Sequence, residues 1–293
     1  MAVTLPESVL ERYPRLSLYN SPYVAHDDGC AIDLYPEVGP QRATSAPSPV
    51  AGEVLDTRSV RAPPKPYAAA EDHLILVELD DDSSLDAPPG TVARMLHVDP
   101  AVEPGDRVAV GDSLGTLVRA GFFAPWVDNH VHLGFRAPDA NPYRASGSVP
   151  IALGVDPLAL EWDGTGTVRE AGETFVVLDA PAHPDPGRFV GVASEEGWVL
   201  DGGLVHYEGG GAHGATSGPV TLLGREVGVA DGRTVRWNDL AVFADGERVT
   251  GLSLFLARDD GFGAKVVCPG HDFAVGDRID VTLEPTDDPT VLG

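Results

Sequence analysis

The sequence predicts an all-β protein. Its apolar residues fall in strand-length runs rich in Val, Leu, Ile and Phe, and its 34 glycines and 26 prolines lie between those runs rather than in one linker. Helical periodicity is almost absent. At 293 residues the chain has material for two ordinary domains or one large β-rich one.

The elements follow in order. The opening MAVTLPESVLERYPRL offers one short helical turn near Pro6 to Arg12. HLILVEL (73–79), DRVAV (106–110) and HVHLGFR (130–136) read as strands of a first half, and FVVLD (175–179), FVGVA (189–193), TVRWNDLAVFA (234–244) and DRIDVTL (277–283) as strands of a second. Asp163-Gly164, Asp231-Gly232 and Asp245-Gly246 read as tight hairpin turns, because glycine tolerates the positive φ such turns require. A boundary falls around Gly147 to Leu160, dividing the chain into an N-terminal extension (1–21), a β domain (22–150) and a β-rich accessory domain (151–293) that reads as a β-sandwich or small barrel. VEPGDRVAVGD (102–112) and FAVGDRIDV (273–281) share a strand-turn pattern too short to establish duplication.

Composition narrows the function classes. Forty-five acidic residues oppose 20 basic ones, for a net charge of −25, and the only lysines are Lys65 and Lys265. Such a lysine-poor, acidic chain reads as halophilic, since salt screens the self-repulsion that otherwise destabilises a compact state. With no basic stripe to neutralise phosphates, nucleic acid is excluded as a partner. The N-terminus lacks the basic and apolar regions of a signal peptide, and no run reaches the roughly 20 apolar residues of a membrane span, so a soluble, cytoplasmic protein is expected. Cys30 and Cys268 are too few and too distant for a disulfide framework and read as free thiols.

The chemistry centres on His130-Val131-His132. On a strand, side chains at i and i+2 share a face, which presents two imidazoles to one metal ion, or one to the metal and one to its water. Upstream, AHDDGCAIDLYPEVGP carries His26 and Asp33, APSPVAGEV spans 46–54, and MLHVDPAVEPGDRVAVGDSLGTL (95–117) carries His97.

This order, with its glycine-rich stretch, resembles the lysostaphin-type zinc endopeptidases over about residues 22–136. The resemblance implies an antiparallel barrel-sandwich-hybrid fold (the duplicated hybrid motif) and a zinc-dependent hydrolase cleaving an amide bond in a peptide or peptide-like substrate. It assigns Asp33, His132 and His26 as zinc ligands, leaving a fourth position for water. It places His97 and His130 beside that water, one as general base and the other stabilising the oxyanion.

The first ligand departs from the pattern. Six residues separate His26 from Asp33 where the family has three, and alignment on Asp33 puts Gly29 at the histidine position. Either a turn through Asp27-Asp28-Gly29 returns His26 to the site, or a carboxylate of Asp27 or Asp28 takes its place. The alternative reading is a catalytically inactive β domain acting as a binding or scaffolding module. A biotinyl- or lipoyl-type carrier is disfavoured because Lys65 lies in APPKPY and not at a hairpin apex.

Other residues read as ordinary structure: His73 as a strand-end histidine, Asp80-Asp81-Asp82 as a solvated acidic turn, and Cys268 with His271 as an isolated C-x-x-H pair. GGLVHYEGGGAHG (202–214), with His206 and His213, reads as a glycine-rich loop: a plain hairpin with exposed histidines, a mobile flap over the zinc site, or a small binding loop of its own.

Overall fold

The structure is a computed structural model that describes residues 2–37, 43–80 and 84–292; Asp81 and Asp82 of the acidic turn lie outside the described residues. The fold is all-β, as the run pattern predicts, with one short helix, Glu7–Leu10, at the anticipated N-terminal turn. The chain divides into two compact units. The first comprises Met1–Leu16 and Gly29–Val155, the second Ser17–Asp28 and Asp156–Gly293.

The first unit is built on six antiparallel strands: β1 (Ala31–Tyr35), β2 (Gly52–Arg61), β3 (Glu71–Leu79), β4 (Val92–Leu96), β5 (Arg107–Val108) and β6 (Val131–Arg136), in the spatial order β1-β6-β4-β3-β2-β5. Every residue of β6 is buried, so the strand alternates between two covered faces. Val131, Leu133 and Phe135 fill the core on one face, while His132, Gly134 and Arg136 lie on the other. A smaller antiparallel sheet joins Ser45–Pro47, Ser113–Leu117 and Val98–Pro100. Val3–Pro6, within the stretch read as an extension, pairs in parallel with Ile151–Gly154.

The strand-turn pattern shared by 102–112 and 273–281 has a common physical cause. At Glu103–Asp106, Ala109–Asp112 and Ala274–Asp277 the fourth residue's N–H donates to the first carbonyl at 3.0 Å, and its own carboxylate accepts from the first N–H at 2.8 Å. Gly105, Gly111 and Gly276 supply the positive φ in each turn. One turn device used three times explains the likeness without duplication.

The second unit carries a twelve-stranded antiparallel sheet running from Ser217–Leu222 at one edge to Glu247–Val249 at the other. A single core cluster draws Val220 and Leu222 from one end and Val242 and Leu283 from the other, so the sheet curls over its own interior as a sandwich or small barrel does. Asp245-Gly246 forms the expected two-residue hairpin loop, both residues at positive φ. Asp163-Gly164 does not: Leu158–Leu160 pairs in parallel with Val190–Val192, and Thr165–Ala171 pairs with other strands. There the Asp163 carboxylate accepts from the Thr165 N–H and hydroxyl, shaping a bend between strands that are not neighbours.

The glycine-rich stretch 202–214 is mostly strand, with a short turn at 205–208. Val199–Leu204 and Gly209–His213 pair with each other inside the sheet, and His206 between them is fully buried. A Cβ on Gly210 would lie 2.2 Å from the Trp237 ring, and one on Gly211 2.2 Å from the Tyr19 ring. The glycines are there because aromatic rings lie flat on the strand.

Candidate metal centre

Strand register assembles the site. His132 on β6 stands directly opposite Asp33 on β1, and His132 Nδ1 lies 3.0 Å from Asp33 Oδ1. His130, two residues earlier, reaches the same oxygen with Nε2 at 3.3 Å, as the i, i+2 spacing predicts. All three side chains are at most 5% exposed.

The extra residues before Asp33 form a kink. Val24–Gly29 is a 3₁₀ segment broken at Asp27 and Asp28, with Asp28 and Gly29 both at positive φ. His26 is buried, and its Nδ1–H donates to the Leu18 carbonyl at 2.8 Å, which fixes the orientation of the ring. Asp27 and Asp28 are exposed, and the Asp28 carboxylate faces the Thr234 hydroxyl. His26, Asp33 and His132 each offer one ligand atom, and the three atoms lie within 4.8 Å of one another. Ligands at about 2.0–2.2 Å from a tetrahedral ion stand roughly 3.4 Å apart, and two histidines with one carboxylate are a donor set that zinc accepts.

His97 closes the other side. It follows β4 directly, at a positive φ of 72°, held there by N–H donation to the His73 carbonyl at 3.2 Å and by the Val118 N–H on its own carbonyl at 2.9 Å. Its ring centroid is 5.2 Å from that of His130 and 5.7 Å from that of His132. Its Nδ1–H donates to Asp72 Oδ2 at 2.7 Å, while Asp72 Oδ1 accepts the His73 N–H at 2.8 Å. Burial pushes the His97 pKa down against the opposing pull of Asp72, so the ring is neutral at pH 7. Burial works to raise the Asp72 pKa, but its interaction with His97, which strengthens when that ring is protonated, and the His73 N–H outweigh it, and the carboxyl lies below its usual range. The His130 Nδ1–H donates to the Asp128 carbonyl at 2.8 Å. Phe123 stacks on His130 at 4.4 Å and meets His97 edge-on at 4.7 Å, forming an apolar wall behind both rings.

Two participants escaped the sequence reading. Asp72 sits beside His73 in plain view, yet its pairing with His97 depends on the β3–β4 register. Phe123 lies in a segment with no strand pattern.

His73, His271 and Cys268 take structural positions. His73 lies within β3, not at its end, and its Nε2 is 3.8 Å from the Asp99 carboxylate. Both ring nitrogens of His271 are engaged by backbone, Nε2 with the Gly172 carbonyl and Nδ1 with the Phe273 N–H, and burial pushes the Cys268 thiol up to about 12, so the C-x-x-H pair is structural. Neither cysteine is in a disulfide. Among the described residues no helix is long and apolar enough to cross a membrane.

Comparison with known proteins gives two family matches. Residues 4–153 match the family model described as domain of unknown function (DUF8155) N-terminal domain, and residues 158–284 match the corresponding C-terminal domain. No curated protein matches the chain. A solved structure described as a novel M23 metalloprotease, pseudoalterin, from the deep sea is similar at 13% identity and a TM-score of 0.32, over 53% of this chain and 79% of that one.

Proposed function

The chain belongs, over both of its halves, to the DUF8155 family, and we propose that its N-terminal half is a zinc-dependent hydrolase cleaving an amide bond of a peptide or peptide-like substrate. The observation that carries this reading is the buried group His26, Asp33 and His132, with the imidazoles of His97 and His130 beside it. His26, Asp33 and His132 would hold the ion. A zinc ion bound there supplies Lewis acidity toward a carbonyl oxygen and lowers the pKa of water.

The protein's own groups supply the proton handling. Asp72 keeps the proton of His97 on Nδ1, so Nε2 carries a lone pair able to accept a proton from attacking water. The imidazolium so formed is stabilised by the same carboxylate, which makes His97 the base of the pair. His130, fixed through Nδ1 to the Asp128 carbonyl, turns its Nε2 edge toward the developing oxyanion as its stabilising partner. Phe123 keeps bulk water from both rings.

Metal analysis of the purified chain tests the reading. We expect about one zinc per chain, lost in His132→Ala. His97→Ala and His130→Ala should retain zinc while losing hydrolysis of a blocked-peptide mixture followed by mass spectrometry. A wild-type protein that holds no zinc and takes none up on dialysis sinks the proposal.

A further inference from the structure

The sheet face that carries the site also carries an arginine with nothing to hold. β4 pairs with β6 so that Leu96 stands opposite His132 and Arg94 opposite Gly134. Cross-strand partners and i, i+2 neighbours share a face, so Arg94 lies on the His132 and Asp33 side of the sheet. The side chain is 93% buried, at 7% exposure. Its Nε is enclosed without an acceptor, and among the described residues no hydrogen bond or ion pair reaches the guanidinium.

Its surroundings show that this is not a shortage of acceptors. The neighbouring Arg136, also buried, donates to the Arg144 carbonyl at 2.7 Å, the Ala145 carbonyl at 3.3 Å and the Ser148 hydroxyl. Asp72, the carboxylate whose field favours the charged form of Arg94, is committed to His97 and to the His73 N–H. Burial, aided by the like charge of Arg136, lowers the Arg94 pKa to about 10, which still leaves it cationic at neutral pH. Among the described residues no carboxylate forms an ion pair with this cation, and Asp72 acts on it through its field alone. A buried charge left unpaired costs several kcal/mol, and such a cost persists where an anion arrives from outside.

We propose that Arg94 is the residue that recognises the substrate, by binding a carboxylate located one residue from the scissile amide. The inference rests on the hydrolase reading for the meaning of "scissile", and it names the substrate class: peptides with an anionic group next to the cleaved bond. Arg94 lies two residues along β4 from the partner of His132, about 7 Å. One substrate residue, about 3.8 Å long, and the arginine side chain together span that distance. The planar guanidinium suits a carboxylate, which it can bind through two parallel N–H donors. The carboxylate is either a chain terminus or an acidic side chain.

Calorimetric titration tests this on the full chain stripped of zinc by a chelator, so that no carboxylate can bind the metal. The probes are N-acetyl-glycylglycine, its C-terminal amide, and the α-amide of N-acetyl-glycylaspartate. One of the two acids should bind at least roughly tenfold more tightly than the uncharged amide, and which one identifies the source of the carboxylate. Arg94→Gln should lose that preference and Arg94→Lys should keep part of it. Arg94→Gln should also melt no lower than wild type, because it removes an unpaired buried charge. His132→Ala should retain the preference, so loss of the metal reading leaves this result standing. Equal binding of all three probes, no binding of either acid, or a preference that survives in Arg94→Gln overturns the proposal.

Discussion

At the residue scale, the weight of the site falls on groups that hold other groups. Asp72→Asn keeps the size of the side chain but no longer fixes the proton on His97 Nδ1. We expect hydrolysis to slow by about 10- to 100-fold with zinc content unchanged, read as kcat beside metal analysis. His206 makes a separate prediction. Burial drives its pKa from the usual 6.5 to about 3. The unfolded chain therefore binds a proton below about pH 6.5 that the folded chain refuses until about pH 3, so stability falls as pH drops through that window. The slope is at most about 1.4 kcal/mol per pH unit. Urea midpoints between pH 7 and pH 4 should show this slope in wild type and a shallower one in His206→Leu. The shared face of His130 and His132 was legible in the sequence because strand alternation brings residues i and i+2 to one side, whereas Asp33 was pointed to only by the family resemblance. Asp72 and Arg94 were not legible, because what gives each its meaning is a cross-strand register that no local pattern encodes.

At the element scale, the correct readings and the misreadings divide by what punctuates the chain. The strands HLILVEL and HVHLGFR are bounded by polar and turn residues, and both form where expected. The stretch 202–214 was misread because glycine usually marks freedom, whereas here it marks close approach of Trp237 and Tyr19. Gly211→Ala should cost about 1–3 kcal/mol, since the added methyl overlaps the Tyr19 ring. Chemical denaturation measures this; a change below about 0.5 kcal/mol contradicts the packing described. Amide hydrogens of Gly209–His213 should exchange slowly, as in an inner strand and unlike in a loop. The kink at Asp27 and Asp28 was foreseeable in outline from the surplus residues before Asp33, but its 3₁₀ form was not.

At the scale of the whole molecule, the units do not follow the order of the chain. Ser17–Asp28 belongs to the second unit although 127 residues of the first follow it. Within the second unit the fully buried Asp201 carboxylate accepts from the Ser17 hydroxyl, from the Leu18 N–H at 2.7 Å and from His213 Nε2 at 3.2 Å. A fragment of residues 156–293 alone would lose two of those three donors and leave a buried charge poorly compensated. We expect it to be insoluble or unfolded by circular dichroism, and to be rescued by a peptide covering residues 15–28. This chain order also limits how the protein can change over generations. The C-terminal half cannot be cut out and joined to another protein as a self-contained cassette, because twelve residues of its fabric are encoded ahead of its neighbour. Recombination within the gene preserves both units only when it carries the whole reading frame.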